Sequence, residues 1–126
     1  MLAYSTIGTN DMARARKFYD ALFAELGAKA VFQNPTGSFV GYGVDPAQPM
    51  FAIAKPHDGK EATVGNGVMI AIAAKNPAQV KSLYDKAIAL GATDEGEAGP
   101  RLDGMCSCGY VRDLDGNKLN FFCMGS

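Results

Sequence analysis

The chain carries one pattern twice. Residues 17–28 read KFYDALFAELGA and residues 82–92 read SLYDKAIALGA. Tyr19 and Tyr84 stand 65 positions apart, Gly27 and Gly91 64, and Asn10 and Asn76 66. Each copy follows an apolar stretch, LAYSTIG in the first and GVMIAIAA in the second. A long period present twice means a duplicated module, since a solenoid needs more units to bury its faces. At 126 residues the chain is one domain by length, with module one over 1–60 and module two over 66–126.

Each module reads β-α-β-β-β. In module one, Ala3, Ser5 and Ile7 alternate with Leu2, Tyr4 and Thr6 as a strand. Val68, Ile70 and Ile72 alternate with Met69, Ala71 and Ala73 in module two, and their near-continuous apolar character predicts a strand buried on both faces. A helix follows each. Met12, Ala15, Phe18, Tyr19, Leu22, Phe23 and Leu26 form one apolar stripe. Asp11 or Asn10 supplies the N-cap and Gly27 the stop. Val80, Leu83, Tyr84, Ala87 and Ile88 form the second stripe, opened by Asn76-Pro77 and closed by Gly91.

Short strands separated by turns come next: Lys29–Gln33, 38–43 and Met50–Ala54 in module one. In module two they fall at 93–97, 107–112 and Lys118–Met124, the last two joined by the turn Asp115-Gly116-Asn117. Residues 55–67, KPHDGKEATVGNG, read as the linker.

Charge and cysteine usage exclude several classes. A net charge of -1 provides no basic field for nucleic acid or an acidic membrane. No apolar run is long enough to span a bilayer, and residues 1–10 have no secretory pattern. Three cysteines make no disulfide framework, so a reducing cytoplasm is expected. GxGxxG, GxxxxGK[ST], CxxC and HExxH are all absent.

The doubled βαβββ unit, the opening IGTNDMARARKFY and the closing RDLDGNKL (Arg112 to Leu119) resemble the vicinal oxygen chelate superfamily. That group includes glyoxalase I, extradiol dioxygenases and bleomycin-resistance proteins. The resemblance implies an α+β fold of two tandem βαβββ modules whose curled sheets pair around a pocket. It also implies a homodimer. Metal-dependent members place ligands on four inward strand positions, which fall here on Tyr4, a position near Ala52 in Met50–Ala54, Met69 and Asn120. A divalent cation wants imidazole, carboxylate or thiolate at such points. A phenol, a methyl, a thioether and a neutral amide do not meet that need, so no metal or other cofactor is expected.

On this mapping Tyr4, Thr6, Ala52, Met69, Asn120 and Phe122 line the pocket, with Met124 beyond them. Tyr4 and Asn120 read either as groups that orient a ligand or as groups that satisfy each other. The hairpin decides where the cysteines point. A three-residue loop Leu114-Asp115-Gly116 with a bulge sets 110 opposite 120 and 108 opposite 122, which turns Tyr110, Cys108 and Cys106 into the pocket. A two-residue loop reverses the parity and turns the cysteines toward the helix. The first register is preferred.

Arg101, in a loop after Gly99-Pro100, stands at the rim as a candidate anion contact or a solvated side chain. His57, the only histidine, reads as a surface residue of the linker. The expected activity is metal-independent binding of a small organic molecule, with no catalytic residue assigned. The alternative is a metal-dependent lactoylglutathione lyase-like or dioxygenase-like enzyme.

Overall fold

The computed structural model describes residues 1–126. The chain divides into two compact units, Met1–Val64 and Gly65–Ser126, with the boundary inside the expected linker.

In the first unit β1 (Tyr4–Gly8) is followed by α1 (Met12–Ala24), β2 (Lys29–Gln33), β3 (Phe39–Gly43) and β4 (Met50–Ala54). The strands form an open sheet in the order β1-β4-β3-β2, with β1 parallel to β4 and the other pairs antiparallel. Asp11 caps α1 by accepting from the Arg14 N–H at 3.0 Å. Ala15, Phe18, Tyr19, Leu22 and Phe23 bury the expected stripe, while Met12 and Leu26 are only half-buried. Tyr19 and Phe23 meet Phe51 at ring distances of 5.0 and 5.1 Å. Phe51, Ile53, Val40 and Tyr42 therefore form the helix-covered face. The Tyr42 hydroxyl donates to Asp20 at 2.6 Å, which ties β3 to the helix. Burial, first, and that bond raise the Tyr42 hydroxyl well above the usual phenol range.

The second unit repeats the plan. β5 (Ile70–Ala73), α2 (Pro77–Ala89), β6 (Thr93–Arg101), β7 (Cys106–Arg112) and β8 (Lys118–Met124) give an open sheet ordered β5-β8-β7-β6. Asn76 caps α2 through the Gln79 N–H at 2.8 Å, and Pro77 occupies the first turn. Val80, Leu83, Tyr84 and Ala87 are buried under the sheet. The Tyr84 hydroxyl donates to Asp94 at 2.7 Å, the counterpart of the Tyr42–Asp20 bond.

Three expectations change. β5 is an edge strand with Ala71 and Ala73 exposed and Ile70 and Ile72 half-buried, so it is covered in part on one face and not buried on two. Its small apolar residues gave the appearance of a central strand. Ile88 is exposed and lies outside the buried stripe of α2. β6 runs on to Arg101, so Arg101 ends a strand and does not sit in a loop. Pro100 is tolerated there because β6 is an edge.

Candidate ligand-binding site

The β7–β8 hairpin fixes the parity of the second sheet. The Asp113 N–H donates to Asn117 O at 2.9 Å and the Gly116 N–H to Asp113 O at 3.0 Å. This is the three-residue Leu114-Asp115-Gly116 loop, with Gly116 at φ 89° as the bulge requires. The Asp113 carboxylate holds the turn, accepting from the Asp115 and Asn117 N–H groups at 2.9 and 2.8 Å and from Asn117 Nδ2 at 3.1 Å. Arg112 closes it from outside, donating to Gly116 O at 3.1 Å and to Glu95 at 2.7 Å. Tyr110 then pairs with Asn120, Cys108 with Phe122 and Cys106 with Met124.

Val111, Leu119, Phe121 and Cys123 share the other parity and are buried. Gly109, of that parity, lies against the Tyr84 side chain on α2; a Cβ there would stand 3.2 Å from Tyr84 Cβ. The helix thus covers the odd-numbered face of β7 and β8. Cys106, Cys108, Tyr110, Asn120, Phe122 and Met124 lie on the face away from the helix, where Cys106, Cys108 and Asn120 are nonetheless buried, with Ala71 beside Asn120. Met69 precedes β5 and is exposed.

On that face Asn120 is only 4% exposed, and its Oδ1 accepts no hydrogen bond. The Asn120 Oδ1 thus has no protein donor. Buried polar atoms are almost always paired, so an orphaned amide oxygen marks a place where a donor is missing. Beside it, Cys106 and Cys108 Sγ lie 3.8 Å apart, and the Tyr110 hydroxyl is hydrogen-bonded to Cys108. Burial, then the contact with Cys108, pushes the Cys106 thiol up from its ordinary value. The bond to Cys108, then burial, pushes the Tyr110 hydroxyl up.

Two cations flank the Tyr110 ring: Lys118 Nζ 5.3 Å and the Arg101 guanidinium 5.7 Å from its centroid. Arg101 also donates to Glu97 O at 2.6 Å and Pro100 O at 3.1 Å. Its guanidinium is thus partly engaged by the backbone and held at the edge of the sheet.

The open face of the first sheet is more apolar. Tyr4 pairs with Met50 and Thr6 with Ala52, and Gly41 stands opposite Ala52. Phe39 receives Tyr4 and Phe32 edge-on at ring distances of 5.5 and 5.8 Å. Tyr4 is 51% exposed. A hollow of about 380 Å³ lies among Tyr4, Phe32, Asn34, Phe39 and Met50. A second, of about 650 Å³, shares Asn34 and Phe39 and extends past Thr6 and Ser38 to Lys55 and His57. Both volumes fall in the range of small-molecule pockets.

Tyr4, Thr6 and Ala52 thus share the open face of one sheet, and Cys108, Tyr110, Asn120 and Phe122 share a face of the other, with Arg101 at its edge. Sequence reasoning missed Asn34, Ser38, Phe39 and His57. Their signal was weak: the first two are turn residues, Phe39 is one phenylalanine among seven, and His57 lies in a polar linker.

The donors fit a divalent metal poorly. Tyr4 and Ala52 in one unit, and Met69 and Asn120 in the other, contain no imidazole, carboxylate or thiolate. Nowhere do three or more His, Cys, Asp or Glu side chains gather as a group able to hold a metal ion. No helix is long and apolar enough to cross a membrane.

Comparison with known proteins agrees with the topology. The family model described as the Glyoxalase/Bleomycin resistance protein/Dioxygenase superfamily matches residues 2–121. A crystal structure of a glyoxalase/bleomycin resistance protein from Albidiferax ferrireducens T118 is 36% identical, with 97% of each chain covered and a TM-score of 0.86. The lactoylglutathione lyase from Agrobacterium tumefaciens is 20% identical, covering 97% of this chain and 92% of its own, at a TM-score of 0.71. Glyoxalase I from Zea mays is 19% identical at a TM-score of 0.75, covering 99% of this chain and 45% of its own. At those two identities the likeness concerns the fold alone. No curated protein sequence matches the chain. By the family match over nearly its whole length and by the shared fold, the chain belongs to the glyoxalase/bleomycin resistance protein/dioxygenase superfamily.

Proposed function

We propose that the chain binds a small organic molecule without the help of a divalent metal. The observation that carries this reading is Asn120: a buried amide oxygen without a donor, on the sheet face away from the helix, beside Tyr110 and Phe122. A ligand N–H or O–H would satisfy it, and the aromatic neighbours would take a flat apolar body. In the same reading Tyr4, Thr6 and Ala52 give the first unit a binding face of its own, and in the second unit Met69 contributes while Arg101 and Lys118 favour a partial negative charge at the ligand's edge. The chain works as a homodimer in the cytoplasm. The exposed apolar side chains Tyr4, Phe32, Val68 and Met69 are surface that a ligand or second subunit would cover, and the three free thiols suit a reducing compartment.

The test is a ¹⁵N-correlation NMR titration with benzamide, which joins one amide donor to one aromatic ring. The Asn120 side-chain resonance and the amides of β7 and β8 are expected to shift, and Asn120→Leu to abolish the response. Shifts confined to other surfaces would refute the site. Metal-dependent turnover of a hemithioacetal or catechol would replace this reading with the lyase or dioxygenase alternative.

A further inference from the structure

The cysteines on the face of β7 away from the helix have a use that ligand binding through Asn120 does not require. Cys106 and Cys108 are alternate residues of one strand, so both side chains emerge on the same face. Their Sγ atoms stand 3.8 Å apart. Two thiolates bound about 2.3 Å from one metal stand about 3.8 Å apart if it is tetrahedral and about 4.0 Å if it is trigonal. The pair is thus spaced as a chelate before any metal arrives. A disulfide would need the sulfurs to close to about 2.05 Å.

The third donor within reach is also sulfur. Met124 pairs directly with Cys106 across β7 and β8 and lies on the same face. Directly opposed residues have Cβ atoms about 4.5–5.5 Å apart. Met124 is 72% exposed, so its thioether is free to swing over the pair. No imidazole or carboxylate joins the two thiols to make a group of three. A set of two thiolates and a thioether selects a soft monovalent ion over zinc, which is usually held by four N, O or S ligands.

We propose that Cys106, Cys108 and Met124 form a binding site for copper(I). On binding, two S–H bonds break, two thiolate–copper bonds form, and the Met124 thioether donates a lone pair to make the third S–Cu bond. Two protons go to solvent, and the copper keeps its oxidation state. The site gains one net negative charge. The Arg101 guanidinium lies close enough to lower the Cys106 titration by its field, and it would offset that charge.

The adjoining β6–β7 turn is exposed and carries two residues in the left-handed region. Leu102 and Asp103 both have positive φ, 51° and 54°, and the Gly104 N–H closes the turn on Arg101 O at 3.1 Å. Leu is poorly suited to that conformation. Leu102 and Met105 are exposed.

The experiment is an anaerobic titration of the fully reduced protein with copper(I) against bicinchoninate. One copper per chain is expected to be withdrawn from the competitor. Cys106→Ser and Cys108→Ser should each weaken binding about 100-fold or more, beyond the range for outer-shell changes. Cys123→Ser, on the helix side of the sheet, should leave it intact. Uptake unaffected by Cys106→Ser and Cys108→Ser would overturn the proposal, as would no uptake. If the serine variants fail to fold, X-ray absorption on the copper-loaded wild type decides. A first shell of sulfur alone supports the site, and nitrogen or oxygen ligands refute it.

Discussion

Replacing Asn120 by leucine should make the protein more stable. The side chain is 4% exposed and its Oδ1 has no donor. Leaving such an atom buried costs about 1–3 kcal/mol. Leucine has the same number of side-chain heavy atoms and nearly the same shape, so it opens no cavity and forces little overpacking. Its neighbours on the same face, Phe122 and Ala71, are apolar. Against the gain stands any hydrogen bond made by Nδ2, about 1 kcal/mol. The net expectation is a gain of about 1 kcal/mol, or about 4 °C in Tm for a domain of this size. Calorimetry and urea unfolding of the ligand-free protein would measure it, with the benzamide titration run on the same sample. Higher stability together with lost binding is the signature of a polar group kept for a ligand at a stability cost. A loss of more than about 1 kcal/mol in Asn120→Leu would refute the reasoning, because it would mean the amide is satisfied in the folded protein.

Other consequences follow from the same geometry. Asp113→Ala removes the acceptor of three hydrogen bonds in the β7–β8 hairpin, and should cost about 3 kcal/mol by urea unfolding. Leu102→Asn should stabilise by about 1 kcal/mol, since asparagine tolerates positive φ better than leucine. The Tyr84 hydroxyl, bonded first of all to Asp94, is pushed up to about 12. The folded state therefore holds this proton where the unfolded chain has lost it. The contribution is complete below pH 10 and is lost as pH rises from about 10 to about 12. Tyr84→Phe should flatten that part of the stability–pH curve, measured by thermal melts.

Much of this architecture was legible in the residues. The duplication marks both helices, because Tyr19 and Tyr84 hold the same buried position under their sheets. The hairpin was legible because a glycine after Leu114-Asp115 allows the bulged loop, and the bulge fixes every parity along β7 and β8. What escaped notice depends on neighbours distant in sequence. Ala71 and Ala73 are apolar in any composition, yet nothing in β5 itself says it is an edge. β6 was cut short because TDEGEAGPR has no alternation. Two register shifts, at Asp94/Gly96 and Gly96/Gly99, let it stay paired despite its glycines. Asn120 could be placed on a pocket face by resemblance, but that its oxygen lacks a donor is a property of packing. His57 lines a hollow only because the segment after β4 brings it beside Thr6 and Ser38.

The central claim is that binding proceeds without a divalent metal at Tyr4, Ala52, Met69 or Asn120. Its most direct test is elemental mass spectrometry of tag-free protein equilibrated with Zn, Ni, Mn and Fe(II) and then desalted. The Cys106→Ser, Cys108→Ser double variant should be measured in parallel, to separate metal held by thiols. The expected result is no metal retained by that variant, with benzamide binding undiminished by chelator. About one equivalent of any of these ions retained by it, as a closed set of ligands would hold, would contradict the account and bring the metal-dependent lyase or dioxygenase to the front.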